Sequence, residues 1–442
     1  MEKIESMVPV ENINDDVLDK INNIKELPGV EKIIVLPDVH LKGKSTKIGS
    51  KGSAPSSFGV VSKNIIYPQL AAANINCGMS LVETNINYNE YSIKELVECI
   101  SNFNAGLVKG LFLKLRRPLK DKYSLTKSEF RNVLLNGDKC LQEKYNVLSD
   151  DVCNREFSGY NVKINEDFDN YINEDWSKAH PYYRKNIGKF LKGNHFIELQ
   201  VVDKIFDQEK AKKWNVNIGK IFILYHMGQG GLTSFLSKKI LGNVIYKQKF
   251  VGLKKDDKYY NIVLNSVKML VNYGIGCRFM TYVMLRDLFD RKQIKLKYFW
   301  DHTHDFIEKF DDENDSYFLH SNNANKSQFE KPIIISGTKD LRSYVGYTSN
   351  SGLIPSLYDH GYGFSANKSL SSKLKNISNY NNGNVELITA KNEINSRFFR
   401  KIKQVDLKNN VAADNVLSSL KRNNNFKQVF SLVPLINFRY KK

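Results

Sequence analysis

The chain has 442 residues, enough for one large domain or two to three ordinary ones, and 41% of them are hydrophobic, so a full core can form. Its net charge is +19, from 66 Lys and Arg against 47 Asp and Glu; that balance attracts polyanions such as nucleic acid, and a Lys/Asn-rich compositional bias explains it equally well. Five cysteines, none in a Cys-x-x-Cys pair, an acid-bearing start (Met1-Glu2-Lys3) and the lack of any long apolar run argue against a disulfide framework, a secretory leader and a membrane span, and predict a cytoplasmic protein.

Lys32 to Asp38 reads as a buried strand running into a loop with Asp38 and His40. Residues 42–56 are rich in Gly, Ser and Lys and read as loop. A small-residue run from Leu70 to Ala73 leads into Asn74-Ile75-Asn76-Cys77-Gly78-Met79. Large side chains are excluded there, so backbone and a ligand can approach closely. A thiolate in such a turn can bind a soft or borderline metal; a lone buried cysteine serving as a small hydrophobe is the plainer reading. A short strand follows from Met79 to Asn85.

Residues 91–150 are mostly helical in pattern and carry a basic cluster, Lys109, Lys114, Arg116, Arg117, Lys120 and Lys122, with Pro118 breaking or starting a helix inside it. Such a cluster can track nucleic-acid phosphates or simply form a solvated face. Residues 155–185 read as irregular with short helices. His195 to Val202 alternates like a strand, and Ile221 to His226 is a second buried strand ending on a histidine. Residues 259–290 form a long apolar-periodic core helix with a possible break at Gly274–Gly276. Pro332 to Gly337 is a strand running into a turn, a helix is expected near 411–421, and a last strand at about 428–438. Strands and helices alternate without a linker, which predicts one large α+β domain over 1–442, with about 90–185 a helical, basic subregion.

Of eight histidines, His40, His195, His226, His304 and His360 sit at ends of apolar strands or beside glycine or aromatic residues in loops. Residues at strand ends project into loop-built sites. Each alone reads as structural; together with Cys77 they suggest a site for Zn, Mn, Fe or Co. His302 and His304 share one face if they lie on a strand and not if they lie on a helix. His180 and His320 read as solvated loop residues.

These segments, in this order, resemble the RtcB family of GTP-dependent RNA ligases from about Val35 to Arg439. Leu36-Pro37-Asp38-Val39-His40 is similar to the family's PDVH segment, and the Cys77 turn to its DIGCGM motif. Gly193-Asn194-His195-Phe196-Ile197-Glu198 is similar to GNHFIE, and His226 to Leu232 to HSGSRGL. Asp301-His302-Thr303-His304-Asp305 falls where the family has D-x-x-H-N, Ser336 to Val345 resembles PGSMGTASYV, and His360 to Gly363 resembles HGAG.

The resemblance implies an enzyme that joins RNA 3′-phosphate or 2′,3′-cyclic-phosphate ends to 5′-hydroxyl ends, with one or two Mn2+ ions, GTP as cosubstrate and a GMP-histidine intermediate. It implies Cys77, His195, His226, His304 and Asn74 as metal positions and His360 as the nucleophile. It implies nucleotide contacts at Asn194, Glu198, Thr338, Ser343, Phe399 and Arg439, and it raises an archease-type activator as a partner. The chain departs from the pattern at Asn74, where the family has aspartate, and at Gly230 and Phe364, where it has arginines. Tyr362 replaces a family alanine, Arg439 a lysine, and Leu319 to Lys326 has lost most of the charge of the family's VHRKGATR run. Two other readings follow from these departures: a catalytically impaired paralogue that binds RNA or a protein partner, and a metal-dependent enzyme that opens cyclic phosphates without GTP.

Overall fold

A computed structural model of the chain describes residues 3–41, 54–71, 75, 77–90, 122–156, 159–163, 181–188, 195–228, 250–337, 341–349, 352–362, 385–387, 403–404, 417–421 and 426–438. In chain order its strands are β1 (Ile4–Ser6), β2 (Val30–His40), β3 (Ser56–Lys63), β4 (Gly78–Asn87), β5 (Phe196–Ile205), β6 (Lys220–Met227), β7 (Leu296–Thr303) and β8 (Asp305–Asp312). They continue with β9 (Asp315–Asn322), β10 (Ala324–Lys326), β11 (Ile333–Ile335), β12 (Ser343–Tyr347), β13 (Leu357–Asp359), β14 (Val385–Leu387), β15 (Lys403–Gln404) and β16 (Lys427–Phe438). The helices are α1 (Asp15–Lys25), α2 (Lys127–Asn136), α3 (Lys139–Lys144), α4 (Ser149–Val152), α5 (Gln208–Lys213) and α6 (Tyr260–Phe289).

The fold is α+β, as expected, with mixed and antiparallel sheets. A nine-stranded sheet runs β11-β12-β16-β5-β6-β4-β7, with β14 attached to β16 and β15 to β14. A five-stranded sheet runs β1-β2-β3-β9-β8, and β10 pairs with β13. Strand β6 lies inside the larger sheet, and Ile221, Phe222, Ile223, Leu224 and Tyr225 are all buried. That is the continuous apolar run expected of a strand covered on both faces. On α1, Val17, Ile21 and Ile24 recur on one face and are buried, while Asp15 and Asp16 in the first turn and Lys25 in the last suit the helix dipole. Thr126 and Glu129 close a capping box at the start of α2.

Two expectations are corrected. The long helix α6 runs unbroken for 30 residues through Gly274 and Gly276. Gly276 serves packing: a Cβ there would stand 2.6 Å from Val133 Cγ1 on α2, so the missing side chain sets how closely the two helices approach. His320 is not a solvated loop residue but a buried member of β9. Its Nε2 accepts from Tyr67 N–H at 3.0 Å, and its Nδ1 lies 3.2 Å from the Val60 carbonyl and can donate to it. Burial pushes its pKa down to about 4, so the ring is neutral.

Of the basic cluster, Lys122 pairs with Asp287 at 2.5 Å; Lys109, Lys114, Arg116, Arg117, Lys120 and Pro118, like His180, lie outside the described residues. Among the described residues, no helix is long and apolar enough to cross a membrane.

Candidate metal centre

Antiparallel register assembles the centre. Strand β4 lies between β6 and β7, with Met79 opposite both His226 and His302, and Phe196 of β5 opposite His226. The starts of β4 and β5 therefore meet the ends of β6 and β7. Cys77 and His195 stand one residue before β4 and β5, His226 is next to last in β6, and His304 stands one residue after β7. His304 N–H continues the ladder by donating to the Cys77 carbonyl at 3.2 Å.

Four expected metal positions are thus brought together and buried: Cys77, His195, His226 and His304. Cys77 Sγ lies 3.7 Å from His195 Nε2, and His226 Nε2 lies 3.2 Å from His304 Nε2. Two overlapping groups form, Cys77 with His195 and His226, and Cys77 with His304 and Asp305; within each, the ligand atoms lie within 4.8 Å of one another. Burial pushes the His195 pKa down to about 4, so its ring keeps a lone pair at neutral pH. Its Nδ1 is buried with no hydrogen-bond partner among the described residues. One cysteine sulfur and three imidazoles converging in a buried space fit a divalent transition metal.

Glycine at position 78 is required by what lies beneath the cysteine turn. A Cβ there would collide with the Arg278 guanidinium and the His302 carbonyl. Arg278 is buried and grips Asp301 through Nε–Oδ1 at 2.7 Å and Nη2–Oδ2 at 3.1 Å, and Ser80 Oγ donates to the same carboxylate. His302 lies within β7 and belongs to neither metal-competent group; its ring centroid is 6.3 Å from that of His304. Among the described residues, no metal-competent group contains both His302 and His304.

His360 follows β13, and backbone bonds to Ser336 hold the segment: Ser336 N–H donates to the His360 carbonyl at 3.1 Å, and Tyr362 N–H donates to the Ser336 carbonyl at 2.9 Å. The His360 ring centroid lies 4.6 Å from that of His304 and 6.1 Å from that of His226. Its Nδ1 lies 3.0 Å from the Asn323 carbonyl. A hydrogen bond there requires the proton on Nδ1, which leaves the lone pair on Nε2. Tyr362 does not crowd this ring, since its hydroxyl donates to the Arg342 carbonyl and its ring pairs with Tyr344 at 6.2 Å. Behind His360, the Asp359 carboxylate accepts from Asp38 N–H at 3.3 Å, and burial pushes its pKa up to about 7.

Glu198 and Ser343, two expected nucleotide contacts, are joined through Gln200. Gln200 Nε2 donates to Glu198 Oε2 at 2.7 Å and to Ser343 Oγ at 3.1 Å, and Gly337 N–H also donates to Ser343 Oγ at 3.1 Å. Asn74, Asn194, Thr338, Phe399 and Arg439 lie outside the described residues.

Two residues of the centre carry no role in the sequence reading. Asp305 opens β8 and is fully buried beside His304, and Asn323 donates its N–H to Asp305 Oδ1 at 2.6 Å while its carbonyl faces His360. An aspartate directly after a strand-end histidine was a visible signal for the first. The second depends on a turn between β9 and β10 that spacing does not reveal.

A sequence profile of the family described as tRNA-splicing ligase RtcB matches residues 20–439. The tRNA-splicing ligase RtcB of Methanococcus maripaludis is 31% identical over 223 residues, covering 50% of this chain and 42% of that protein. The protein of the same name from Thermococcus kodakarensis is 29% identical over 222 residues, covering 49% of this chain and 42% of its own length. An RNA-splicing ligase RtcB homolog 1 of Entamoeba dispar is 24% identical over 371 residues, covering 75% of this chain and 64% of that protein. The matched part thus spans under half of the two archaeal relatives and under two thirds of the amoebal one.

Proposed function

The chain belongs to the RtcB family of tRNA-splicing ligases, and from that premise we propose that it is a GTP-dependent RNA ligase acting through a guanylylated His360. The observation that carries the reading is the convergence of Cys77, His195, His226 and His304 at one sheet end, with the His360 ring 4.6 Å from that of His304. In this reading Cys77, His195, His226 and His304 hold one or two Mn2+ ions, with Asn74 at a further position. When bound, such an ion neutralises phosphate charge and orients the leaving pyrophosphate.

The Asn323 carbonyl keeps the His360 proton on Nδ1, so Nε2 presents its lone pair. His360 Nε2 bonds to the α-phosphorus of GTP as the bond to pyrophosphate breaks. GMP then passes from His360 to the RNA 3′-phosphate, and the 5′-hydroxyl displaces it, forming the phosphodiester. Glu198 and Ser343, with Asn194, Thr338, Phe399 and Arg439, contact the nucleotide. RNA with 3′-phosphate or 2′,3′-cyclic-phosphate and 5′-hydroxyl ends is the substrate; a cytoplasmic location and an archease-type activator complete the reading.

The loss of family arginines at Gly230 and Phe364, and of a charge at Asn74, favours a second reading: a metal-containing paralogue that binds RNA or a protein partner without turnover. Incubation of end-labelled RNA halves with Mn2+, with and without GTP, separates the readings. GTP-dependent joining supports ligation. Opening of a cyclic phosphate without GTP points to an end-processing enzyme, and salt-sensitive binding with no product points to the paralogue.

A further inference from the structure

The proposed function leaves Asp305 without a role. We infer that Asp305 is a metal ligand, supplying the carboxylate of a second cation position that shares Cys77 with the first. The inference rests on the metal-binding reading above and extends it to a residue outside the expected ligand set.

The two metal-competent groups have only Cys77 in common. One pairs it with two imidazoles, His195 and His226; the other pairs it with one imidazole and one carboxylate, His304 and Asp305. Cys77, His226, His304 and Asp305 are all buried, the last two completely. A divalent cation facing one thiolate and neutral rings keeps positive charge in a water-poor space, and a carboxylate there offsets it. The two groups also differ in hardness: sulfur and nitrogen suit a borderline ion, whereas an oxygen ligand suits a harder one such as Mn2+. Asn74 brings no charge to this chain, so among the described residues Asp305 is the one carboxylate grouped with Cys77.

The geometry of Asp305 matches the role. It is the first residue of β8, directly after His304, so one strand-to-strand turn delivers both ligands. Oδ1 accepts the Asn323 N–H at 2.6 Å, which fixes the carboxylate plane, and Oδ2 lies 3.9 Å from His304 Nε2. Metal-bound carboxylates are characteristically held by such a hydrogen bond. A carboxylate needed only to accept from Asn323 would serve equally as an amide, since asparagine offers the same carbonyl oxygen.

That equivalence sets the test. Mn2+ binding is followed by loss of the free-ion EPR signal in wild type and in Asp305→Asn. A Co2+ titration of both reports the Cys77 thiolate through its charge-transfer band. Asp305→Asn should weaken Mn2+ binding at one position by at least about tenfold while the Co2+–thiolate band persists. Wild-type affinity and stoichiometry in the variant would overturn the inference and leave the metal reading standing. Failure of wild type to bind either ion would overturn both. If the variant does not fold, anomalous diffraction from Mn2+-loaded wild-type crystals decides instead. A peak at about 2.0–2.6 Å from an Asp305 oxygen supports the assignment, and peaks that leave Asp305 uncoordinated overturn it.

Discussion

His360 Nδ1 lies 3.0 Å from the backbone carbonyl of Asn323, 37 residues away in sequence. The same residue's N–H reaches Asp305, so one turn backbone aims the proposed nucleophile and holds a carboxylate of the metal centre. Asn323 adopts a left-handed conformation, with φ of 54°. Glycine and asparagine adopt that backbone readily, and other residues pay about 1–2 kcal/mol. Asn323→Gly should keep guanylylation near the wild-type rate, because both contacts are made by backbone atoms. Asn323→Val should lose about 1–2 kcal/mol in urea unfolding and slow guanylylation.

Gly78 is a second geometric constraint. Its position over Arg278 and the His302 carbonyl leaves no room for a methyl group. Gly78→Ala should cost about 1–3 kcal/mol of stability through overpacking and weaken Co2+ binding, because the Cys77 turn must lift off the guanidinium. Urea unfolding and the Co2+–thiolate band report the two effects separately.

At Gly276 two effects oppose each other. Alanine is favoured over glycine by about 1 kcal/mol in a helix interior. The added Cβ would stand 2.6 Å from Val133 Cγ1, and overpacking of a tight core costs about 1–3 kcal/mol. The clash should win, so Gly276→Ala destabilises. Trimming the partner in Val133→Ala/Gly276→Ala should recover stability relative to the single variant, as measured by thermal unfolding.

His320 predicts a pH dependence. Burial lowers its folded pKa to about 4, below the ordinary value of 6.5. The unfolded chain therefore takes up a proton that the folded chain refuses. The stability contribution is fully present above about pH 6.5 and is lost as pH falls toward 4. His320→Gln removes this titration. Urea unfolding at pH 7 and pH 5 should show a smaller loss for the variant than for wild type; an equal loss would contradict the assigned neutral state.

Much of this architecture is legible in residue patterns. Ile221 to Tyr225 announces a central strand because the whole run is apolar, and histidines at strand ends mark the site because strand ends meet in space. What the pattern hides is partner-dependent. Gly274 and Gly276 look like a helix break, yet the second glycine is where α2 seats against α6. His320 and its polar followers look like loop, yet Ser321 Oγ donates to the His304 carbonyl at 3.2 Å and Asn322 Nδ2 to the Pro55 carbonyl at 2.9 Å. Those bonds make a polar stretch buriable, and they exist only once β9 lies against β3 and β8. Asn323 is hidden for the same reason: its bond to Asp305 spans a hairpin, and nothing in its sequence neighbours signals that partner.

The central claim, that His360 is a nucleophile beside a metal centre, is tested most directly by incubating the protein with Mn2+ and α-phosphate-labelled GTP, then denaturing it and looking for retained label. The account predicts an acid-labile covalent adduct that maps to His360, is absent without Mn2+, and is abolished by His360→Ala. Absence of label in folded, Mn2+-loaded wild-type protein, or label that survives His360→Ala, would contradict it.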